Sequence, residues 1–169
     1  RGKVIFFLHS DDILNNRKVL KKIENVFKKN KSCIVYGDIE MFSHRFKRVW
    51  KTGNFVKKKI YSGWHPPHTA FFCKKGLFNK FGFFNTSYSI ASDYDLMVRF
   101  LISSKTEKIK YLSLPVTKMK IGGKSNKSVK NIIKSNLEVI KILKTLKINN
   151  CFKIIFFKIF SKFFQIRLK

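Results

Sequence analysis

Apolar positions along the chain fall into blocks whose spacing changes from one block to the next. Residues 4–10, VIFFLHS, form a near-continuous apolar run, the pattern of a strand buried on both faces. Ser10-Asp11-Asp12 closes it, so the two acids are expected at the C-terminal end of a strand. Val19, Leu20, Ile23, Val26 and Phe27 then recur at helical spacing with lysines between them. Residues 33–42, CIVYGDIEMF, read as the next strand. From Lys47 to Tyr61 the chain is basic and has no clear period, which predicts a loop or hairpin. Residues 63–78 predict a Pro-containing loop, a short strand and a short helix that Gly82 ends.

Leu96, Met97, Phe100 and Leu101 share one face of a helix predicted over Ser92–Ser104. Residues 109–121 predict two short strands around Pro115, residues 122–128 (GGKSNKS) a flexible loop, and Ile132–Leu146 a strongly periodic helix. The order is β-α-β, then mixed elements, then β and α. That is an α/β chain with at least part of a parallel sheet, and such folds collect ligands at the C-terminal ends of strands. We read 1–148 as one domain and 149–169 as a tail. There are no internal repeats.

Composition narrows the partners. The chain has 169 residues and is 44% hydrophobic, enough for a core and too apolar for a disordered polycation. Lys and Arg number 37 against nine acids, a net charge of +28. That balance favours an anionic partner: nucleic acid, phosphorylated small molecules or an acidic membrane face. The abundance of Lys, Asn, Ile and Phe also fits a bias in genomic base composition. The three cysteines, Cys33, Cys73 and Cys151, have no metal-ligand spacing and predict free thiols in a reducing compartment. No segment offers the ~18 uninterrupted apolar residues of a spanning helix. No signal peptide is visible, and the start at Arg1-Gly2 predicts that the natural N-terminus lies upstream.

With so few acids, two pairs stand out. Asp11 and Asp12 repel each other unless a cation sits beside them. Mg²⁺ commonly takes one or two carboxylates plus substrate phosphates, so a metal–diphosphate site is one reading. A solvated turn with one Asp capping the next helix is the other. In IASDYDLMVRF, Ser92 and Asp95 fit a capping box. Asp93 is not needed for the box; it would project from the first helical turn, where the dipole favours a carboxylate and a general base could be held rigidly. His65 and His68 flank Pro66-Pro67 without a third ligand nearby, which favours structural or substrate-contacting roles over metal.

In the tail, Lys158, Lys162, Gln165 and Lys169 fall on one helical stripe, with Phe160, Phe163 and Phe164 among the apolar residues covering the rest. From residue 118 onward there are 14 basic residues and one acid, Glu138. Such a helix suits the plane of an anionic membrane surface, and otherwise packs on the domain. No nucleic-acid partner is expected, because no zinc-finger spacing, ribonucleoprotein motif or helix-turn-helix is present.

Taken in order, these segments resemble family 2 glycosyltransferases with a GT-A fold, of the bacterial surface-polysaccharide type. RGKVIFFLHSDDIL resembles the segment around the family's DxD-equivalent motif, and IVYGDIEMF its next strand. PHTAFFCKKGLFNKFGFFNTSYSIASDYDLMVRF resembles the His-x-x-x-Phe-Phe strand, the Gly-x-Phe-Asp turn and the Asp-Tyr-Asp-Leu helix that carries the base; GGKSNKS resembles the later Gly-Gly-x-Ser loop. The matches span roughly residues 1–130.

The resemblance implies a nucleotide-sugar donor and a saccharide or lipid-linked acceptor. Asp12 would bind Mg²⁺ or Mn²⁺, Asp11 the metal or the donor ribose, and Asp93 would deprotonate the acceptor for transfer with inversion. His68 and Asp95 would lie on the substrate side, with the enzyme peripheral at the cytoplasmic membrane face. His9 departs from the family's Asn or Asp, and Asn85 from the Asp of the turn. The family's N-terminal nucleobase-binding units, roughly two and about 60–80 residues in all, would precede Arg1. The chain alone is therefore expected to bind donor poorly. A remnant without activity that only binds membranes or partners is the alternative.

Overall fold

The structure is a computed structural model and describes residues 2–43, 46–120, 128–148, 151 and 154–156. Its axis is the strand β3 (Ile34–Ser43), whose first seven residues are all buried. Alternation along β3 sends Ile34 and Tyr36 to one face and Val35 and Ile39 to the other. On one edge β3 pairs in parallel with β6 (Ile109–Lys120). The opposite edge is divided. β5 (Phe71–Lys74) pairs antiparallel with Ile34–Tyr36, and β4 (Phe46–Trp50) pairs antiparallel with Ile39–Ser43. β1 (Val4–Phe6) lies outside β5, and β2 (Ile13–Leu14) outside β6, both antiparallel. The sheet is thus mixed, in the order β1-β5-β3-β6-β2 with β4 beside β3.

Helices cover both faces. Val19, Ile23 and Phe27 of α1 (Val19–Lys29) pack on the Val35 and Ile39 side, as their spacing predicts. α2 (Gly76–Phe81), α3 (Ser92–Ser103) and α4 (Val129–Thr145) cover the Ile34 and Tyr36 side. Phe100 of α3 is wholly buried and meets Phe78 edge-on at 5.1 Å. A side chain of that size contributes roughly 2–3 kcal/mol by leaving water. Gly82 closes α2 at a φ of 86° that few side chains adopt.

Two expectations need correction. β1 is not buried on both faces: it is an edge strand of three residues, and Val4 is exposed. The apolar run continues past it because Phe7 leaves the sheet to pack on His68 and Phe84. Residues 109–120 are one strand rather than two. Pro115 has no N–H for the ladder, and the register slips there instead of breaking: Gly37 pairs with Leu112, Asp38 with Pro115 and Ile39 with Thr117. Gly37 is needed at that bulge, since a Cβ would come within 2.5 Å of Val116 Cγ2. The basic stretch from Lys47, expected as a loop or hairpin, is a hairpin strand through Trp50, followed by a turn of 3₁₀-helix over Lys57–Ser62.

The strand partner change at Asp38 is sealed by hydrogen bonds. The buried Asp38 carboxylate accepts from the Thr52 N–H (2.7 Å) and from the Tyr111 hydroxyl (2.8 Å). The Tyr36 hydroxyl donates to the Gly53 carbonyl (2.8 Å) and the Trp64 indole N–H to that of Thr52 (3.0 Å).

Candidate active site

Beyond β1 the chain enters the cleft. Phe7, Leu8 and His9 line it, and a tight turn follows in which the Asp12 N–H donates to the His9 carbonyl at 3.1 Å. Asp11 is exposed on this turn, whereas Asp12 is buried. Among the described residues no hydrogen-bond donor reaches the Asp12 carboxylate. Burial raises its pKa, the adjacent Asp11 charge raises it further, and His9 partly offsets both.

The cleft has a volume of about 400 Å³, and its far wall is formed by His68, Phe84, Ile90, Ser92 and Asp93. Pro67 is extended and delivers His68 into a short 3₁₀ turn that leads to β5. The His68 ring stacks on Phe7 at 5.6 Å and lies 5.5 Å from His9. Both its nitrogens are shielded and without a hydrogen-bond partner among the described residues. Burial lowers the His68 pKa; the Asp93 charge opposes that and His9 reinforces it. The ring is therefore held neutral. The cleft thus brings His68 and Asp93 together, with Asp11 and Asp12 on the turn that leaves it.

Asp93 sits in the first turn of α3, and its carboxylate accepts the Tyr94 N–H at 2.7 Å. The capping box is not formed: Ser92 is already helical, and the cap residue is Ala91, without a side-chain cap. A residue from another helix instead anchors the segment that leads into α3. The Glu138 carboxylate of α4 accepts from the Ser89 N–H (3.1 Å) and hydroxyl (2.9 Å), and from the N–H groups of Ile90 and Ala91 (2.9 Å each). Burial works to raise the Glu138 pKa, but these donors outweigh it and lower it. Asp95 is not on the cleft wall. It pairs with Arg99 at 2.7 Å, and Arg99 also donates to the carbonyls of Phe81, Gly82 and Phe83. Asn85 keeps the turn despite being an amide, because its side-chain oxygen accepts the Ser87 N–H at 3.0 Å.

His65 parts from His68 and packs against Trp50 and Tyr94. Among the described residues no three His, Cys, Asp or Glu side chains converge. Cys33, Cys73 and Cys151 are free thiols, and burial pushes that of Cys73 up to about 12. At the start of the tail, Cys151 and Ile154 are buried in the α3–α4 core. Lys158, Lys162, Phe160, Phe163 and Phe164 lie outside the described residues, as does the Gly122-Gly123 loop. No helix among the described residues is long and apolar enough to cross a membrane.

No family model matches the chain. Over 127 residues it is 29% identical to the PGL/p-HBAD biosynthesis glycosyltransferases of Mycobacterium bovis and Mycobacterium tuberculosis, covering 74% of this chain and 48% of theirs. Two crystal structures of the S. aureus glycosyltransferase TarS superpose with TM-scores of 0.59 and 0.60 at 14% and 15% identity, both over 85% of this chain. They are covered over 41% and 25% of their own lengths. This is a glycosyltransferase fold. The expected GT-A architecture, a mixed sheet flanked by helices, is present over the part of the glycosyltransferase that this chain covers. The chain spans about half the length of the curated relatives it matches.

Two walls of this cleft escaped sequence reasoning. Phe7 and Phe84 read as core or turn residues, and nothing in their spacing marks them as walls of a cleft. Glu138 did carry a signal, as the one acid after residue 118. Its partner loop is 47–49 residues away, a pairing that helical periodicity cannot supply.

Proposed function

We infer that this cleft transfers a sugar from a nucleotide-sugar donor to an acceptor hydroxyl with inversion. One juxtaposition carries the reading: a buried carboxylate, Asp12, without a donor among the described residues, on the turn that leaves a cleft whose opposite wall presents Asp93. Two adjacent carboxylates, one of them desolvated, stay charged together most readily beside a cation. Hard oxygen donors fit Mg²⁺ or Mn²⁺, and few protein ligands suffice when phosphate oxygens complete the shell. Asp12 would hold such an ion, with Asp11 on the ion or on the donor. When bound, the ion supplies positive charge to a leaving diphosphate.

Asp93 accepts the proton of the acceptor hydroxyl. The acceptor oxygen forms its bond to the anomeric carbon as the bond from that carbon to the diphosphate oxygen breaks. The electron pair leaves with the diphosphate. Neutral His68, stacked on Phe7, offers substrate a flat ring wall rather than a competing positive charge. The glycosyltransferase relatives act in PGL/p-HBAD biosynthesis, which supports a glycan or glycolipid acceptor class.

The test is binding of a nucleoside diphosphate by the protein at its natural length, with and without Mn²⁺. Wild type binds more tightly with Mn²⁺, Asp12→Asn loses that gain, and Asp93→Asn keeps it while losing transfer. Binding indifferent to Mn²⁺ in wild type and Asp12→Asn alike would remove the metal–diphosphate assignment.

A further inference from the structure

The outer face of α4 carries a pattern that the cleft does not use. Val129, Ile133 and Leu137, four residues apart, are 73%, 56% and 55% exposed. Lys130, Lys134 and Lys141 follow on the adjoining row, and Lys144 comes one turn later. Helix burial explains the inner residues Val139, Ile142 and Leu143, but it gives no reason for an apolar outer row.

Lys134, Lys141 and Lys144 line a groove of about 640 Å³ between α4 and the loop carrying Ser87 and Tyr88. No carboxylate among the described residues pairs with these three lysines. Glu138 also borders the groove, and its two oxygens are taken by the donors of Ser89, Ile90 and Ala91.

We propose that this face of α4 docks on an anionic lipid surface, with Val129, Ile133 and Leu137 entering the headgroup–acyl boundary and the lysine groove receiving lipid phosphate. An exposed apolar row beside unpaired lysines is the arrangement of a helix lying in a membrane interface. A second copy of the chain is disfavoured, since each carries a net +28 and would bring its own lysines to the contact. Nucleic acid would use the lysines but would leave the aliphatic row in water. The loop between the lysine groove and the cleft, residues 84–92, borders both. Docking would therefore seat the Asp93 cleft close to the lipid headgroups.

The experiment is co-sedimentation of the 169-residue chain with phosphatidylcholine vesicles, with and without phosphatidylglycerol, each variant first checked by circular dichroism. Wild type binds the anionic vesicles. Lys134→Gln/Lys141→Gln/Lys144→Gln weakens that binding on the order of a hundredfold. Lys21→Gln/Lys22→Gln/Lys29→Gln on α1, across the sheet, removes the same charge and stays within a few-fold of wild type. Ile133→Asp/Leu137→Asp abolishes binding and leaves the circular dichroism spectrum unchanged. Equal losses in the two lysine triples would overturn the proposal, because net charge alone would then account for binding. So would undiminished binding by Ile133→Asp/Leu137→Asp, or a dimer in solution that this double variant disrupts. Vesicle binding is read without any transfer assay, so the result stands apart from the proposed reaction.

Discussion

The Glu138 carboxylate lies 2.9 Å from the backbone N–H of Ala91, at the head of the helix that carries Asp93. The later helix α4 thereby anchors the start of the earlier helix α3. Four donors converge on Glu138, three of them main-chain groups that α3 cannot satisfy within itself.

Glu138→Ala removes the acceptor of all four donors, of which the Ala91 N–H is buried, and it should lower stability by about 1–3 kcal/mol. Glu138→Gln should cost less, since the amide oxygen still accepts. The Glu138 pKa is lowered in the fold, so its contribution is complete above its unfolded value of 4.5 and fades as pH falls through the lower folded value. Urea midpoints at neutral pH and well below pH 4.5 should therefore differ for wild type by more than for Glu138→Ala.

His68 acts in a separate pH window. Its folded pKa lies below the unfolded 6.5, so the unfolded chain binds the extra proton first. Stability should fall as pH drops from about 6.5 toward the folded value, and recover as pH rises. His68→Phe should flatten that slope while keeping the stack on Phe7. A slope unchanged by the substitution would assign the acid sensitivity elsewhere.

Gly37 tests the bulge. Gly37→Ala places a methyl 2.5 Å from Val116 Cγ2 and 3.0 Å from the Leu114 carbonyl oxygen. The expected loss is about 1–3 kcal/mol. Adding Val116→Ala removes the nearest contact and should make Gly37→Ala less costly than it is in the wild-type background. Strict additivity in chemical denaturation would argue against the contact as the cause.

Periodicity made the helices and the central strand legible, because one buried face imposes a repeat on α1, α3 and α4, and β3 opens on the apolar run Ile34–Tyr36. β1 misled for a physical reason: the residues after Phe6 are apolar to line a cleft, not to fill a sheet. Pro115 misled because a parallel ladder can absorb a missing N–H by slipping its register. At the site, the order of short motifs marked Asp12 and Asp93. The capping box did not form, because α3 begins one residue earlier than expected, with Ser92 already helical and Ala91 as its cap. The local sequence before α3 gives no sign that its donors meet a carboxylate from a helix 47–49 residues away.

In the proposed reaction Asp93 takes the acceptor proton as the sugar is transferred at this cleft. The measurement is the rate of sugar transfer from a nucleotide-sugar donor by the protein at its natural length, wild type against Asp93→Asn, with donor affinity followed in parallel. Loss of a general base predicts a fall in rate of about 10²–10⁴ with donor affinity little changed. Transfer by Asp93→Asn at the wild-type rate would contradict the account.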